Sequence, residues 1–396
     1  MPADLLYSET ERDLGAALAS LLADRAAAAD VIARTEAAET YDTSLWRTVA
    51  AEIGIAGLLI PEALGGAGAS YRELAAAAEQ FGAFTAPIPY LGSAAAATAA
   101  LLSAARGATD SGAPAPGGLD PEDPGGFGSA SSGPAAAIRA AQLRAAARAP
   151  ATSSGTGAPN ASPAAGLLRQ LADGSRTAAL AVTTATRPGA PFPGLARVAG
   201  HAAAAGTVRL RGTVPAVADA LPADFLLVPA DGVPSALYLV EATAPGVHRS
   251  PLVSLDMTRQ LCDITLDDAP ARLVALGAAA EAAVSAGLAA GAAILAAEQL
   301  GLAQRCLDLT VAYVRERRQF ARQIGSFQAI KHRLADLWTA ITQARAASRY
   351  AAACLADGDP DAPVAVALAK SACCEAAVTA AQECVQLHGG IGFTWE

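Results

Sequence analysis

The sequence predicts a mainly α protein with a central β domain, and three observations predict it. Residues 8–38 carry acids early (Glu9, Glu11, Asp13), where a helix N-terminus favours them, followed by apolar residues at helical spacing. Residues 177–270 break instead into short β-branched or alternating runs between Gly, Pro and Asp. Beyond residue 271 the apolar stripes return. Leu302, Cys306, Leu309 and Tyr313 form one, and Phe327, Ile330, Leu334 and Leu337 another, as in the core-facing helices of an antiparallel bundle.

Taken in order, residues 1–107 form a helical domain. One long helix or two span 8–38, Gly54 stops a later helix, and Leu58 to Ile60 is a short buried run. Pro61 to Gly68 is a turn-rich loop, and a helix follows from Tyr71 to Phe81. Residues 108–166 are rich in Gly, Pro, Ser and Ala, too poor in large apolar side chains to offset chain entropy, and are expected to be disordered. Within them only Ala135–Ala149 has the spacing of a short helix, with Arg139, Arg144 and Arg148 along it. Residues 167–270 hold five expected strands of an antiparallel domain: Ala178–Val182, Thr207–Val214, Phe225–Val228, Leu237–Val240 and Leu261–Leu266. Residues 271–396 form the helical bundle.

Composition narrows the function. The chain has 396 residues, 53% of them hydrophobic but only 5% aromatic, so alanine dominates the apolar total. A formal charge of −9 argues against a nucleic-acid binder, whose phosphate contacts need a basic surface. The six cysteines form no C-x-x-C pair and all but Cys262 fall in the apolar C-terminal third, as buried reduced thiols do. The N-terminus lacks the basic and apolar regions of a signal peptide, and alanine runs such as 279–297 are small-sided and interrupted for membrane spans. A cytoplasmic protein is expected, with no membrane partner.

Two patches carry chemistry: Tyr313 to Gln328, with Arg317 and Phe320, and Gln386 to Glu396, with Gly389 and Gly390. Each sets a guanidinium, amides or glycine backbone at the end of a long apolar helix. An arginine fork matches pyrophosphate, and glycine lets backbone N–H groups approach phosphate oxygens. The pair suits a flat, charged dinucleotide. Together with the N-terminal run from Trp46 through Ile60-Pro61-Glu62 to Gly65-Gly66-Ala67-Gly68, the patches resemble the acyl-CoA dehydrogenase flavoproteins. That family joins an N-terminal helical domain, an antiparallel β domain and a C-terminal helical bundle.

The resemblance implies FAD as cofactor, an acyl-CoA thioester as substrate, and an electron-transfer acceptor. It also implies a homo- or hetero-oligomer, because these residues reach a neighbouring subunit's FAD. Arg317 would bind the pyrophosphate, Phe320 would lie against the adenine side, and Gln328 would reach the nucleotide. Gln386, Leu387, His388, Gly389 and Gly390 match the second family patch, whose backbone also meets the dinucleotide. Ala321 stands where the family usually has Gly. The family's reaction dehydrogenates the α,β bond of the thioester, and needs a carboxylate base and a cradled flavin ring.

Departures from the pattern are equally informative. Thr183 or Thr184 alone remains of the loop that cradles the flavin ring, and Gly212 to Val217 supplies no aromatic residue against it. One family position for the base lies beyond Glu396; the other falls on Gly291, and residues 282–297 contain no acid. Glu396 aligns with a non-catalytic glutamate, so the catalytic base is unassigned, and the bundle reads as cut short. Small residues at 286–297 permit a bulky acyl chain. Three readings follow: an active dehydrogenase whose base comes from an unexpected residue or from sequence beyond Glu396, the base-less subunit of a hetero-oligomer, or a non-catalytic or truncated homologue. The loss pattern favours the second.

Overall fold

The computed structural model describes residues 4–37, 39–110, 163–198 and 207–394. The expected 8–38 helix is two helices, α1 (Glu9–Arg25) and α2 (Ala28–Thr35). Ser8 and Glu11 close a reciprocal capping box at the start of α1. Helix α3 (Thr43–Arg47), capped by Asp42, runs into a π turn that Gly54 ends at φ 87°. A second capping box, Ser70 with Glu73, starts α4 (Tyr71–Ala83). Helix α5 (Thr98–Asp110) continues a π turn over Leu91–Ala97, and Leu58, Leu59 and Ile60 are buried as expected.

Of the segment expected to be disordered, residues 111–162, including Ala135–Ala149, lie outside the described residues. Its two ends are helical, however. Helix α5 runs to Asp110, and α6 (Pro163–Ala172) starts four residues before its buried Leu167, Leu168 and Leu171. Those leucines supply the apolar surface that the preceding stretch lacks.

Among the described residues, seven strands make the central sheet: β1 (Ala178–Leu180), β2 (Ala196–Val198), β3 (Thr207–Ala218), β4 (Phe225–Asp231), β5 (Ala236–Glu241), β6 (Val247–Pro251) and β7 (Leu261–Leu276). The order is β1-β4-β2-β3-β7-β5, with β6 on β7 and an added β4–β5 pairing that turns the path back on itself. Inside sit Leu210, Val214, Leu226, Val228, Val240, Ile264 and Leu266. The domain is not purely antiparallel: β1 and β2 both pair with β4 in parallel. Neither is joined to β4 by a hairpin, so no tight turn imposes the antiparallel direction.

The C-terminal bundle is α7 (Ala278–Glu316), α8 (Gln328–Asp357) and α9 (Ala362–His388). By length and composition α7 and α9 are each capable of crossing a membrane, but α7 packs against α4, α5, α8 and α9. It lies against α4 almost backbone to backbone. A Cβ on Gly82 would sit 1.9 Å from the Glu298 carbonyl oxygen, and one on Gly301 1.8 Å from that of Glu79. The expected α7 stripe is shifted, with Leu302 and Cys306 only half-buried against the core. Its buried face is Leu300, Ala303, Leu307, Thr310 and Val314, while Leu309 is 44% exposed. In so alanine-rich a chain small residues take the closest contacts, and larger side chains are displaced to the margins. The α8 stripe is also shifted: Leu337 is buried, but Leu334 is only half-buried and the core continues through Ile341, Ala344, Ser348 and Ala351.

A buried polar network ties the units together. Tyr41 donates to Asp219 Oδ1 at 2.7 Å, and Gly92 N to its Oδ2 at 2.8 Å. Arg259 bridges Asp219 at 3.3 Å and Glu298 at 2.6 Å, and Tyr90 also donates to Glu298. Its members come from the N-terminal helices, the sheet and α7. Each charge has an opposite partner, as burial requires.

At the N-terminus, Arg72 bonds Glu11 at 2.6 Å and the carbonyls of Asp4 and Leu6 at 2.6 and 2.9 Å. Burial alone would raise the Glu11 pKa, but bonds from Arg72 and Ser8 outweigh it and hold the carboxyl below its usual range. Arg72→Ala leaves Glu11, 2% exposed, without its cation. We expect a loss of about 3 kcal/mol at pH 7, measured by urea unfolding. A depressed carboxylate pKa contributes stability above its unfolded value and loses it as pH falls through the folded one. The gap between the two proteins therefore narrows under acid.

Candidate functional site

Helix α7 ends at Arg317, whose N–H still bonds the Tyr313 carbonyl at 2.9 Å while its own carbonyl accepts from Ile324 N. A two-stranded hairpin follows, β8 (Arg318–Gln319) and β9 (Arg322–Gln323), joined by Phe320 and Ala321. Both loop residues are left-handed, φ 53° and 61°. That is the geometry of a type I′ turn, which glycine fits best, so Ala321 costs about 1 kcal/mol relative to it. The turn projects Phe320 outward, 86% exposed, with its ring edge-on to Phe327 at 6.2 Å. The Arg322 guanidinium covers the Phe327 ring at 3.9 Å.

The second patch arrives on the last turn of α9. His388 stacks on Tyr313 with centroids 4.3 Å apart, and the Tyr313 hydroxyl donates to the His388 carbonyl at 3.4 Å. His388 Nδ1 lies 2.7 Å from the Cys384 carbonyl oxygen. A carbonyl only accepts, so Nδ1 carries a proton and donates to it. Gly389 follows at φ 65°, ψ −137°, a conformation that glycine alone adopts without strain.

These two ends enclose a cleft of about 570 Å³. Arg317 and Phe320 line it from one side, and Gln386, Leu387, His388, Gly389 and Gly390 from the other. Of the residues singled out in the sequence only Gln328 is absent from the lining; it opens α8, exposed, just beyond the cleft residue Phe327. Tyr313, Gln319, Ile324, Phe327, Ile330 and Ile391 also line the cleft without having been singled out as site residues. Tyr313 was detectable, since it lies one helical turn before Arg317 and therefore on the same face.

The cleft fits the nucleotide half of a dinucleotide. Arg317 has no carboxylate partner among the described residues. A Cβ on Gly389 or Gly390 would meet nothing within 4 Å, so contact within this chain does not require glycine there. Open space before two glycines and a free guanidinium is what a phosphate would fill. Aromatic rings beside it offer stacking surface for a base.

The fit fails on the flavin-ring side. Thr184 N bonds the Ala216 carbonyl at 3.2 Å, which sets the Thr183–Thr184 loop against β3, but Gly212 to Val217 supplies no aromatic ring there. Around Gly291, residues 282–297 of α7 hold no acid, and a Cβ on Gly287 would sit 2.8 Å from the Ala96 carbonyl oxygen. The small face expected to make room for a bulky acyl chain instead holds α7 against the Leu91–Asp110 segment. The flanking acids are engaged: Glu281 accepts from Ser235 at 2.8 Å, and Glu298 belongs to the Arg259 network. Glu396 lies outside the described residues.

Comparison with known proteins agrees with this geometry. Residues 8–110 match the acyl-CoA dehydrogenase N-terminal domain and residues 281–396 the C-terminal domain. The chain is 31% identical to acyl-CoA dehydrogenase IpdE2 of Mycobacterium tuberculosis, over 98% of this chain and 88% of that protein. Among solved structures it is similar to a variant of the Tcur3481-Tcur3483 steroid ACAD, with a TM-score of 0.71 and 28% identity over 97% of this chain and 88% of that one. It is also similar to the ChsE4-ChsE5 complex of Mycobacterium tuberculosis, with a TM-score of 0.72 and 26% identity over 99% and 90% of the two chains. With its fold, its nucleotide cleft and its sequence matches in agreement, the chain belongs to the acyl-CoA dehydrogenase family of FAD-dependent oxidoreductases.

Proposed function

We propose that this chain is the base-less subunit of a hetero-oligomeric acyl-CoA dehydrogenase, gripping the nucleotide end of an FAD whose ring serves the partner's site. One observation carries the reading. The groups suited to a dinucleotide's phosphates converge on one cleft, while α7 offers no free carboxylate where a base would stand. When bound, FAD supplies the hydride acceptor for dehydrogenation of the acyl-CoA, and an electron-transfer acceptor takes the electrons onward.

This chain's residues bind and orient. Arg317 forks onto the pyrophosphate, and the Gly389–Gly390 backbone approaches it from the opposite wall. Phe320, held outward on a strained turn, makes sense if it packs against a neighbour; strain of this kind persists where function uses it. The likeness to the Tcur3481-Tcur3483 and ChsE4-ChsE5 structures supports a hetero-oligomeric assembly.

Expressed alone, the protein should retain little flavin and show negligible acyl-CoA oxidation with a dye acceptor. Co-expression with a homologue that has an intact flavin loop and a glutamate base should restore both. A yellow homo-oligomer that turns over would overturn the proposal. In the assembly, Arg317→Ala should lower flavin affinity about tenfold or more by loss of the charged fork, read by flavin absorbance per subunit; an unchanged flavin content refutes its role.

The two glycines separate backbone strain from ligand contact. Gly389→Ala should destabilise the chain by about 1–2 kcal/mol in thermal unfolding, because its φ and ψ suit glycine only. Gly390→Ala should leave the melting temperature unchanged yet weaken flavin retention, since its Cβ enters the open cleft. Equal flavin retention in the Gly390→Ala assembly would place the phosphate elsewhere.

A further inference from the structure

Backbone contact between α9 and a dinucleotide leaves one side chain of the cleft unused. His388 lines the cleft from the end of α9, and Arg317 lines its other side. The imidazole Nδ1–H is given to the Cys384 carbonyl at 2.7 Å, and among the described residues Nε2 has no hydrogen-bond partner. Tyr313 covers one face of the ring, with centroids 4.3 Å apart and an interplanar angle of 24°. The ring is thus held at one edge and one face, with its second nitrogen open.

The surroundings of the ring hold no carboxylate. Tyr313 and Arg317 of α7, and Cys384 of α9 with its Sγ 3.7 Å from Nδ1, are the titratable or charged groups beside it. The hairpin gives Gln319 and Phe320 to the lining, while Arg322 lies on the Phe327 ring, and α8 gives Ile330. Glu383, the residue before Cys384, is bound by Arg333 of α8 at 2.7 and 2.8 Å. Among the described residues no Asp or Glu lines the cleft, although the chain carries a formal charge of −9.

We propose that the His388 imidazole is a second cationic ligand of a dinucleotide's pyrophosphate, taking up a proton from solvent at Nε2 as the nucleotide binds, so that retention strengthens as pH falls. Imidazole is the side chain that exchanges a proton in the physiological range. With Nδ1–H already on the Cys384 carbonyl, the second proton goes to Nε2, and the ring keeps its place on Tyr313. Nε2–H then gives a charge-assisted bond to a phosphate oxygen. Two cations in one cleft repel until an anion lies between them, which couples the proton to the nucleotide. The complex then holds more protons than its separated parts, and by linkage affinity rises as pH falls. This role for His388 rests on the nucleotide reading of the cleft and adds to it a side chain whose charge depends on pH.

The test is calorimetric titration of the full-length protein with ADP-ribose, whose pyrophosphate keeps its charge from pH 8 to pH 6. Affinity should be about fivefold tighter at pH 6 than at pH 8, the difference between a charged and a neutral hydrogen-bond donor. At pH 7, titrations in two buffers of different ionisation enthalpy should show net proton uptake. His388→Gln should abolish the pH dependence, and Cys384→Ala should keep it. Equal affinity at both pH values in the unsubstituted protein, or a pH dependence that disappears in Cys384→Ala, overturns the proposal; if Arg317→Ala still weakens binding, the nucleotide reading survives. A protein that binds no ADP-ribose, or binds it equally well as Arg317→Ala, overturns both. Proton uptake by the unsubstituted protein decides the matter even if a variant fails to fold.

Discussion

The contact between α4 and α7 is the constraint on which the rest of the structure depends. Gly82 and Gly301 bring each helix against the other's backbone carbonyls, closer than any side chain permits. With α4 held there, α7 runs 39 residues from the edge of the sheet to the nucleotide cleft. One helix thereby touches all the folded units. Its N-terminal half faces α5 and the sheet, its middle carries Glu298 into the Arg259 network, and its C-terminus delivers Arg317. Close packing of this kind transmits position with little slack, because protein interiors are as dense as molecular crystals.

The same contact explains why the site is divided. Further along the same helix, Ala96 and Ala100 pack against the stretch around Gly287. At its far end α7 leaves the crowded interior, and there the chain is open: an arginine unpaired among the described residues, an outward phenylalanine and two glycines facing empty space. The cleft end of α7 is open, and its face around Gly287 is filled by packing. This division supports the subunit role proposed above.

Much of the fold and the cleft was legible in sequence. Capping residues Ser8 and Ser70, and the stop at Gly54, are local signals, and the structure uses each of them. The Arg317 and Gly389–Gly390 patches were also legible, because their chemistry is concentrated in short runs. Parallel pairing of β1 and β2 with β4 was not, since strand direction depends on connections that carry no local signature. The core face of α7 was misplaced by reliance on large side chains, in a helix whose closest contacts are made by alanine and glycine.

By itself, then, the sequence determined the order of units, the helix ends, and which residue types stand ready for a dinucleotide, because these follow from local propensity and short motifs. Only the tertiary structure decided that Arg317 and Gly390, 73 positions apart, share one cleft, and that Tyr313 and His388 form part of its floor by stacking. It alone packed Ala96 and Ala100 against the stretch around Gly287. Such outcomes depend on how near two helices approach, and that distance is set by the whole packing around them rather than by any stretch of either one.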